Sequence, residues 1–130
     1  MNEPIDAADL VFYVSGHGYG HATRSVALIA ALRRMSADPL RIHVRSGAPR
    51  WIFEERDSQL TCSTACIDPG MIQRSALDLD LEATIEAHER FASSWETRLG
   101  EEVELLRQMA PRVVVSDIPP LAIGAKSVPT

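Results

Sequence analysis

The chain has 130 residues, of which 45% are hydrophobic and 24% are charged, and its net charge at pH 7 is -5. This length suits one domain with a core of moderate size, and this composition excludes disordered and fibrous chains. An acidic chain has no basic field for a phosphate backbone, so we expect small-molecule ligands and no nucleic acid.

The location of the protein is predicted from its apolar runs and its cysteines. No run approaches the 18 residues of a membrane span, and the N-terminus is acidic where a secretory signal would be basic, so we expect a cytoplasmic protein without a membrane span. Cys62 and Cys66 are the only cysteines. We expect both to be buried as small apolar side chains, without a disulfide or a zinc site.

The first predicted unit is a strand, a glycine-rich loop and a helix. Leu10 to Ser15 is a short apolar run rich in β-branched residues, which predicts a buried strand. Residues 16–21 follow as Gly-His-Gly-Tyr-Gly-His, and residues 22–35 have helical spacing with two arginines in the final turn.

Weaker signals follow in the middle of the chain. Residues 41–46 alternate polar and apolar side chains, which predicts a second strand, and Pro49 suits the first turn of a short helix through Glu55. Residues 60–67 predict a third strand, which ends at a turn formed by residues 68–70.

A long helix is predicted from Leu81 to Met109, ended by Pro111. Glutamates on its other faces form a solvated surface, and the spacing of Glu86 and Arg90 supports a stabilising pair. His88 lies on the apolar stripe, so we expect it to be packed rather than to bind a ligand. The stripe consists of Ile85, Ala92, Trp95, Leu99, Val103 and Leu106.

The last predicted strand runs from Val113 to Asp117, and Asp117 is expected to cap a helix whose first turn contains Pro119 and Pro120. Residues 127–130 are expected to lead into a further strand. Alternating strands and helices predict a three-layer, Rossmann-like α/β domain with a parallel sheet. With the strand order 3-2-1-4, the loop of residues 16–23 lines one crevice together with Asp117 and Pro119.

The glycine loop predicts an anion site. Gly16, Gly18 and Gly20 let the backbone approach a phosphate or diphosphate at the start of the helix, although a tight turn alone would also need glycine. No lysine is near, which excludes a nucleoside triphosphatase loop. Histidine at 21 and Arg45 near the end of the second strand argue against NAD, and the arginine leaves an opening for NADP.

His21 is the candidate general base, because an imidazole titrates near neutrality. Asp117 is the candidate carboxylate that orients it, and it can also cap the next helix if one carboxylate oxygen stays free. Alternatively, His17 and His21 only order the loop. Metal binding by this pair is not expected, because a glycine-rich loop separates the two side chains.

Four ordered blocks, residues 15–32, 44–55, 66–91 and 113–122, resemble the N-terminal glycosyltransferase-like domain of plant L-arabinokinases and related bacterial proteins. More distantly, the strand, GHxxGH-type loop and helix resemble the opening of GT-B glycosyltransferases. This resemblance covers about Val11 to Ala125.

The resemblance implies a histidine base at His21, assisted by Asp117, that activates an acceptor hydroxyl against a nucleotide sugar. The donor diphosphate would lie at Gly16, Gly18 and Gly20, and no separate cofactor is implied. The remaining expected substrate contacts are His17, Tyr19, Thr23, Arg24 and Pro119.

The chain departs from this family in extent. It lacks the second, donor-binding domain of GT-B enzymes and the kinase domain of arabinokinases, so we expect residues 1–130 to be a single, truncated N-terminal domain without turnover by itself. The alternative is a non-catalytic sugar- or nucleotide-binding module of a larger protein such as an arabinokinase-like sugar kinase. The missing domains would then be its partners.

Overall fold

The computed structural model of the protein describes residues 5–127. In chain order, its elements are β1 (Leu10–Val14), α1 (Tyr19–Met35), β2 (Ile42–Ser46), α2 (Trp51–Glu54), β3 (Thr61–Thr64), β4 (Gln73–Ser75), β5 (Asp78–Leu79), α3 (Leu81–Ser93), α4 (Trp95–Met109), β6 (Val113–Ser116) and α5 (Pro120–Ser127).

The main sheet is parallel and has the order β3-β2-β1-β6. Phe12 of β1 is in register with Val44 of β2 on one side and Val115 of β6 on the other. The predicted Rossmann-like α/β fold, with the first and last predicted strands as neighbours, is therefore confirmed. Successive parallel strands require helical crossovers, which cover both faces of the sheet.

Alternate residues of β1 supply two hydrophobic cores. Val11 and Tyr13 pack with the helices α3, α4 and α5, whereas Phe12 and Val14 pack with α1 and α2. All four side chains are buried. This alternation gives the three layers, because neighbouring residues of a strand point to opposite faces.

The prediction of one helix from Leu81 to Met109 is wrong, since α3 and α4 are separated at Ser94. The Ser94 hydroxyl donates to the carbonyls of Arg90 and Phe91 and accepts a hydrogen bond from Arg98. A serine side chain that competes for helix carbonyls bends or interrupts the helix. Sequence periodicity continues across this break and does not reveal it.

Several side chains are more exposed than predicted, among them Ile85 of the expected apolar stripe and Val113 of the last strand. His88 is exposed, and its Nε2 donates to the carbonyl of Gly70 at 2.9 Å. Cys66 is exposed and Cys62 is half-buried. Burial of Cys62 against the α1 and α2 side of the sheet raises the pKa of its thiol to about 11.

The structure also contains a small hairpin, β4 and β5, that the sequence did not predict. It precedes α3, whose first turn is capped by Asp80 through a hydrogen bond from the amide of Ala83. The further strand expected after α5 falls largely on residues 128–130, which lie outside the described residues. Among residues 5–127, no helix is both long and apolar enough to cross a bilayer.

Candidate functional site

The candidate site lies where β1 and β6 end. Both strands run in the same direction and are hydrogen-bonded neighbours, so the loops that follow them leave from the same edge of the sheet. The first loop leads into α1 and the second leads into α5. This edge is where open parallel sheets bind ligands.

His21 and Asp117 meet at this edge. The distance between His21 Nδ1 and Asp117 Oδ2 is 2.7 Å, and the two side chains are 28% and 25% exposed. Nδ1 itself is buried, and the carboxylate oxygen lies off the direction of its N–H bond, so the contact is close without being an aligned hydrogen bond. Two lone pairs would repel at this distance, which places the imidazole proton on Nδ1.

The other oxygen of Asp117 is held by the backbone. Oδ1 accepts hydrogen bonds from the amide of Ser15 at 3.2 Å and from the amide of Ile118 at 2.8 Å. The carboxylate therefore has one oxygen fixed and one directed at His21. The predicted helix cap is wrong in detail, because α5 begins only at Pro120 and Asp117 orders the turn before it.

A second histidine and aspartate pair lies beside the first and was missed from the sequence. The His17 Nε2 donates to the backbone carbonyl of Asp68 at 3.1 Å and lies 3.9 Å from its Oδ1. Asp68 is buried, and its Oδ2 accepts a 2.7 Å hydrogen bond from the Ser15 hydroxyl. The signal available in the sequence was the Asp-Pro-Gly turn, because the loop after β3 reaches the same sheet edge.

Ser15 links the two pairs. Its amide donates to Asp117 and its hydroxyl donates to Asp68, while the same hydroxyl accepts from the amide of His17 at 3.3 Å. The side chain is buried at the end of β1. One buried serine thus fixes two carboxylates that come from distant parts of the chain.

The three loop glycines differ in their surroundings. A Cβ at Gly16 would lie 2.7 Å from the backbone of Gly47, so this glycine allows two loops to approach each other. Gly18 has a φ of 75° and is the N-cap residue of α1. A Cβ at Gly20 would meet nothing within 4 Å. Close packing and a left-handed backbone thus account for two of these glycines without a ligand.

The other residues expected to contact a substrate lie in varied environments. Tyr19 is 58% exposed, and its ring makes an edge-to-face contact with Trp51. The Thr23 hydroxyl donates to the carbonyl of Tyr19 at 2.8 Å, and Arg24 is exposed. Pro119 is buried, so its side chain does not line an open crevice.

The first turn of α1 has no capping side chain and no acidic residue. Its free backbone amides and the helix dipole favour an anion at this position. Within residues 5–127, no group of three or more His, Cys, Asp or Glu side chains is arranged to hold a metal ion.

A network of polar side chains lies between the main sheet and α4. Glu102 is 2% exposed and accepts from the Tyr13 hydroxyl at 2.8 Å and from the Arg45 guanidinium at 2.8 Å. Burial, followed by the charge of Glu102, raises the pKa of Tyr13. The sequence did not predict this network, because Glu102 falls within a helix rich in glutamate.

His43 of β2 is another buried titratable group. Its ring nitrogens lie 2.8 Å from the Thr61 hydroxyl and 2.6 Å from the Ser63 hydroxyl. Burial lowers the pKa of His43 to about 4, with a smaller contribution from the charges of Arg45 and Arg50. The ring is therefore neutral near pH 7.

An open groove of about 700 Å³ lies beside this edge. We call it the Phe91–Trp95 groove. It adjoins the site through Asp68 and Ile118, but His21 does not line it, so the groove and the His21–Asp117 pair are neighbouring features. Its wall consists of Asp68, Pro69, Gly70, Met71, His88, Phe91, Ala92, Ser93, Trp95, Glu96, Ile118 and Pro120.

Comparison with known proteins gives one informative similarity. The chain is 37% identical over 131 aligned positions to an L-arabinokinase from Arabidopsis thaliana, and the alignment covers 95% of the chain. It is therefore related to one segment of an arabinokinase. The chain spans only 12% of the length of that protein. No protein-family model matches the chain, and no solved structure gives a significant match.

Proposed function

We propose that this chain is a sugar- or nucleotide-binding module of a larger arabinokinase-like protein, with its ligand at the carboxyl edge of β1 and β6. The observation that carries the proposal is the convergence of His21 and Asp117 at this edge. The similarity to a segment of L-arabinokinase supports a ligand that contains a sugar.

The arrangement suits a ligand with both a hydroxyl and a phosphate. With the proton on Nδ1, the Nε2 of His21 has a lone pair that accepts a hydrogen bond from a sugar hydroxyl. The amides in the first turn of α1 complement a phosphate oxygen. A nucleotide sugar presents both groups, and a free sugar presents the first.

A second candidate is the acceptor-side domain of a GT-B-like glycosyltransferase. In that reaction His21 Nε2 takes the proton of an acceptor hydroxyl, whose oxygen attacks the anomeric carbon while the bond to the nucleoside diphosphate breaks. Asp117 stabilises the resulting imidazolium. The observation that favours this candidate is that the two carboxylate oxygens of Asp117 have different partners. Two backbone amides fix Oδ1, whereas Oδ2 is directed at His21.

Binding is tested by recording amide NMR shifts of this chain during titrations with L-arabinose, UDP and UDP-glucose. We expect shifts in residues 16–23 and 117–118, and weaker binding by His21→Ala and Asp117→Asn. Asp38→Asn is the matched control, because Asp38 is an exposed carboxylate in the loop between α1 and β2, at the opposite edge of the sheet. The absence of shifts in both loops with all three compounds would overturn the proposal.

Activity separates the two candidates. In a protein that carries this module together with its further domains, a base role for His21 predicts that His21→Ala lowers glycosyl transfer by about 10²-fold or more. If the module only binds, the same substitution weakens ligand binding and leaves kcat at saturating ligand unchanged.

The orientation of His21 has its own test. Asp117→Asn keeps an oxygen for the amides of Ser15 and Ile118 and turns an NH₂ group toward Nδ1, which must then accept. We expect the imidazole proton to move to Nε2, seen as exchanged ¹⁵N shifts of the two ring nitrogens. Unchanged nitrogen shifts would show that Asp117 does not set the tautomer.

A further inference from the structure

We infer that the Phe91–Trp95 groove is a second binding site, specific for a neutral, hydroxyl-rich sugar. The inference rests on the proposed function for the sugar class of the ligand, and on the walls and polar groups of the groove for its site. The two sites adjoin at the Asp68 turn and Ile118, but neither His21 nor Asp117 lines the groove.

The groove has the size and the lining of a small-molecule site. Its volume of about 700 Å³ lies within the usual range for ligand pockets, which are mostly apolar with a few polar groups. Phe91, Trp95, Met71 and Ile118 provide apolar walls. Such walls complement the C–H face of a sugar ring through dispersion and exclusion of water.

The aromatic wall is held in place before a ligand arrives. The rings of Phe91 and Trp95 meet edge to face with centroids 6.1 Å apart. The six-membered ring of Trp95 packs against α5, since its Cζ2 lies only 3.4 Å from the position that a Cβ on Gly124 would take. The Cζ atom of Arg98 lies over one face of the Phe91 ring, 5.2 Å from the ring centroid. A preformed wall reduces the entropy lost on binding.

The polar side chains of the groove present acceptors. Because the carbonyl of Gly70 can only accept, the Nε2 of His88 carries the proton and Nδ1 of the neutral ring is an acceptor. The Ser93 hydroxyl already donates to the carbonyl of Arg90. Glu96 contributes a carboxylate, whereas the buried Asp68 carboxylate already accepts from the Ser15 hydroxyl. These groups match the several O–H donors of a sugar.

Charge argues against an anionic ligand in the groove. Among the described residues that form its wall, none is Lys or Arg, whereas Asp68 and Glu96 are acidic. Arg98 touches the wall through Phe91, but its guanidinium is engaged by the carbonyl of Cys66 and the hydroxyl of Ser94. A phosphate would therefore meet carboxylates without a paired cation, which favours an uncharged sugar.

Tryptophan fluorescence tests the inference directly. The chain has two tryptophans, so Trp51→Phe leaves Trp95 as the reporter of the groove. We expect a saturable change in fluorescence with L-arabinose or D-galactose and none with inorganic phosphate or UDP. Replacing Glu96 by Gln should weaken sugar binding roughly 10-fold, because a hydroxyl bonds more strongly to a carboxylate than to an amide.

Two controls separate this inference from the proposed function. Glu89→Gln removes an exposed carboxylate of α3 that does not line the groove, and it should leave the titration unchanged. His21→Ala should also preserve the fluorescence change, because His21 lies outside the groove. The inference would be overturned if neither sugar gave a saturable change in fluorescence, or if tetramethylammonium alone gave one. The proposed function has a separate test, because it fails if the NMR shifts of residues 16–23 and 117–118 are absent.

Discussion

Removing Arg45 is expected to destabilise the protein strongly, because it leaves a carboxylate in the core without its counter-charge. In Arg45→Met the Glu102 carboxylate, with its side chain 3% exposed, retains only the Tyr13 hydroxyl as a partner. The guanidinium it loses had donated through both Nε and Nη2. Methionine fills a similar volume, so the change isolates the charge from the packing.

The expected loss in the free energy of unfolding is about 3–5 kcal/mol, the usual range when one partner of a buried ion pair is removed. A domain of this size has about 5–15 kcal/mol of stability in total. Replacing Glu102 by Leu in the same chain removes the stranded charge, so Arg45→Met with Glu102→Leu should recover to within about 1–2 kcal/mol of the wild type. The remaining deficit is the unpaired Tyr13 hydroxyl.

Urea unfolding followed by far-UV circular dichroism measures these differences, with equal m-values as the check that the unfolding transition is comparable. Arg41→Met is the matched control, because Arg41 is 63% exposed and pairs with Asp9 at the surface. Its loss should be at most about 1 kcal/mol. Equal losses for Arg41→Met and Arg45→Met, or a double variant less stable than Arg45→Met, would refute the reasoning.

Two further predictions concern His43 and Gly70. The pKa of His43 is about 4 in the folded chain and 6.5 in the unfolded chain, so the unfolded state binds the extra proton as the pH falls from 6.5 to 4 and about 3 kcal/mol of stability is lost. Denaturation of His43→Gln across this range should lack that loss. Parallel curves of stability against pH for the wild type and His43→Gln would contradict the prediction. Gly70 has a φ of 60°, and in Gly70→Ala the new Cβ would lie about 2.1 Å from the His17 ring, so we expect a lower Tm and a shifted His17 resonance. Gly20→Ala is the control. Its Cβ would enter open space, so the His17 resonance should stay nearly unchanged and Tm should stay unchanged or rise slightly.

The neighbouring positions of β1 and β6 could be predicted from the sequence because each depends on a local signal. Apolar runs ended by glycine or by Asp117 identify buried parallel strands, and right-handed crossovers restrict their order. The approach of His21 to Asp117 follows from that order, since Asp117 directly follows β6 and His21 lies in the first turn of the helix that follows β1.

The contacts that were missed depend on partners far away in the chain. Glu102 looks like the other glutamates of α4, and only its position opposite Tyr13 and Arg45 makes it a core residue. The sequence identifies Asp68 only as a turn residue, and the hydrogen bond that it accepts from the Ser15 hydroxyl is seen only in the structure. Burial of a polar side chain is decided by its tertiary partners, which periodicity does not contain.

The position of Ser15 explains why the site edge and the sheet cannot be considered separately. Its amide holds Asp117 across from β6, and its hydroxyl holds Asp68 in the loop after β3. The order β3-β2-β1-β6 puts β1 between these two segments, so a residue at the end of β1 can contact both. A shift of β6 along β1 would move Asp117 away from His21 and from the Ser15 amide together. The geometry of the candidate site is therefore set by the register of β1 and β6, and the first turn of α1, which carries His21, only completes it.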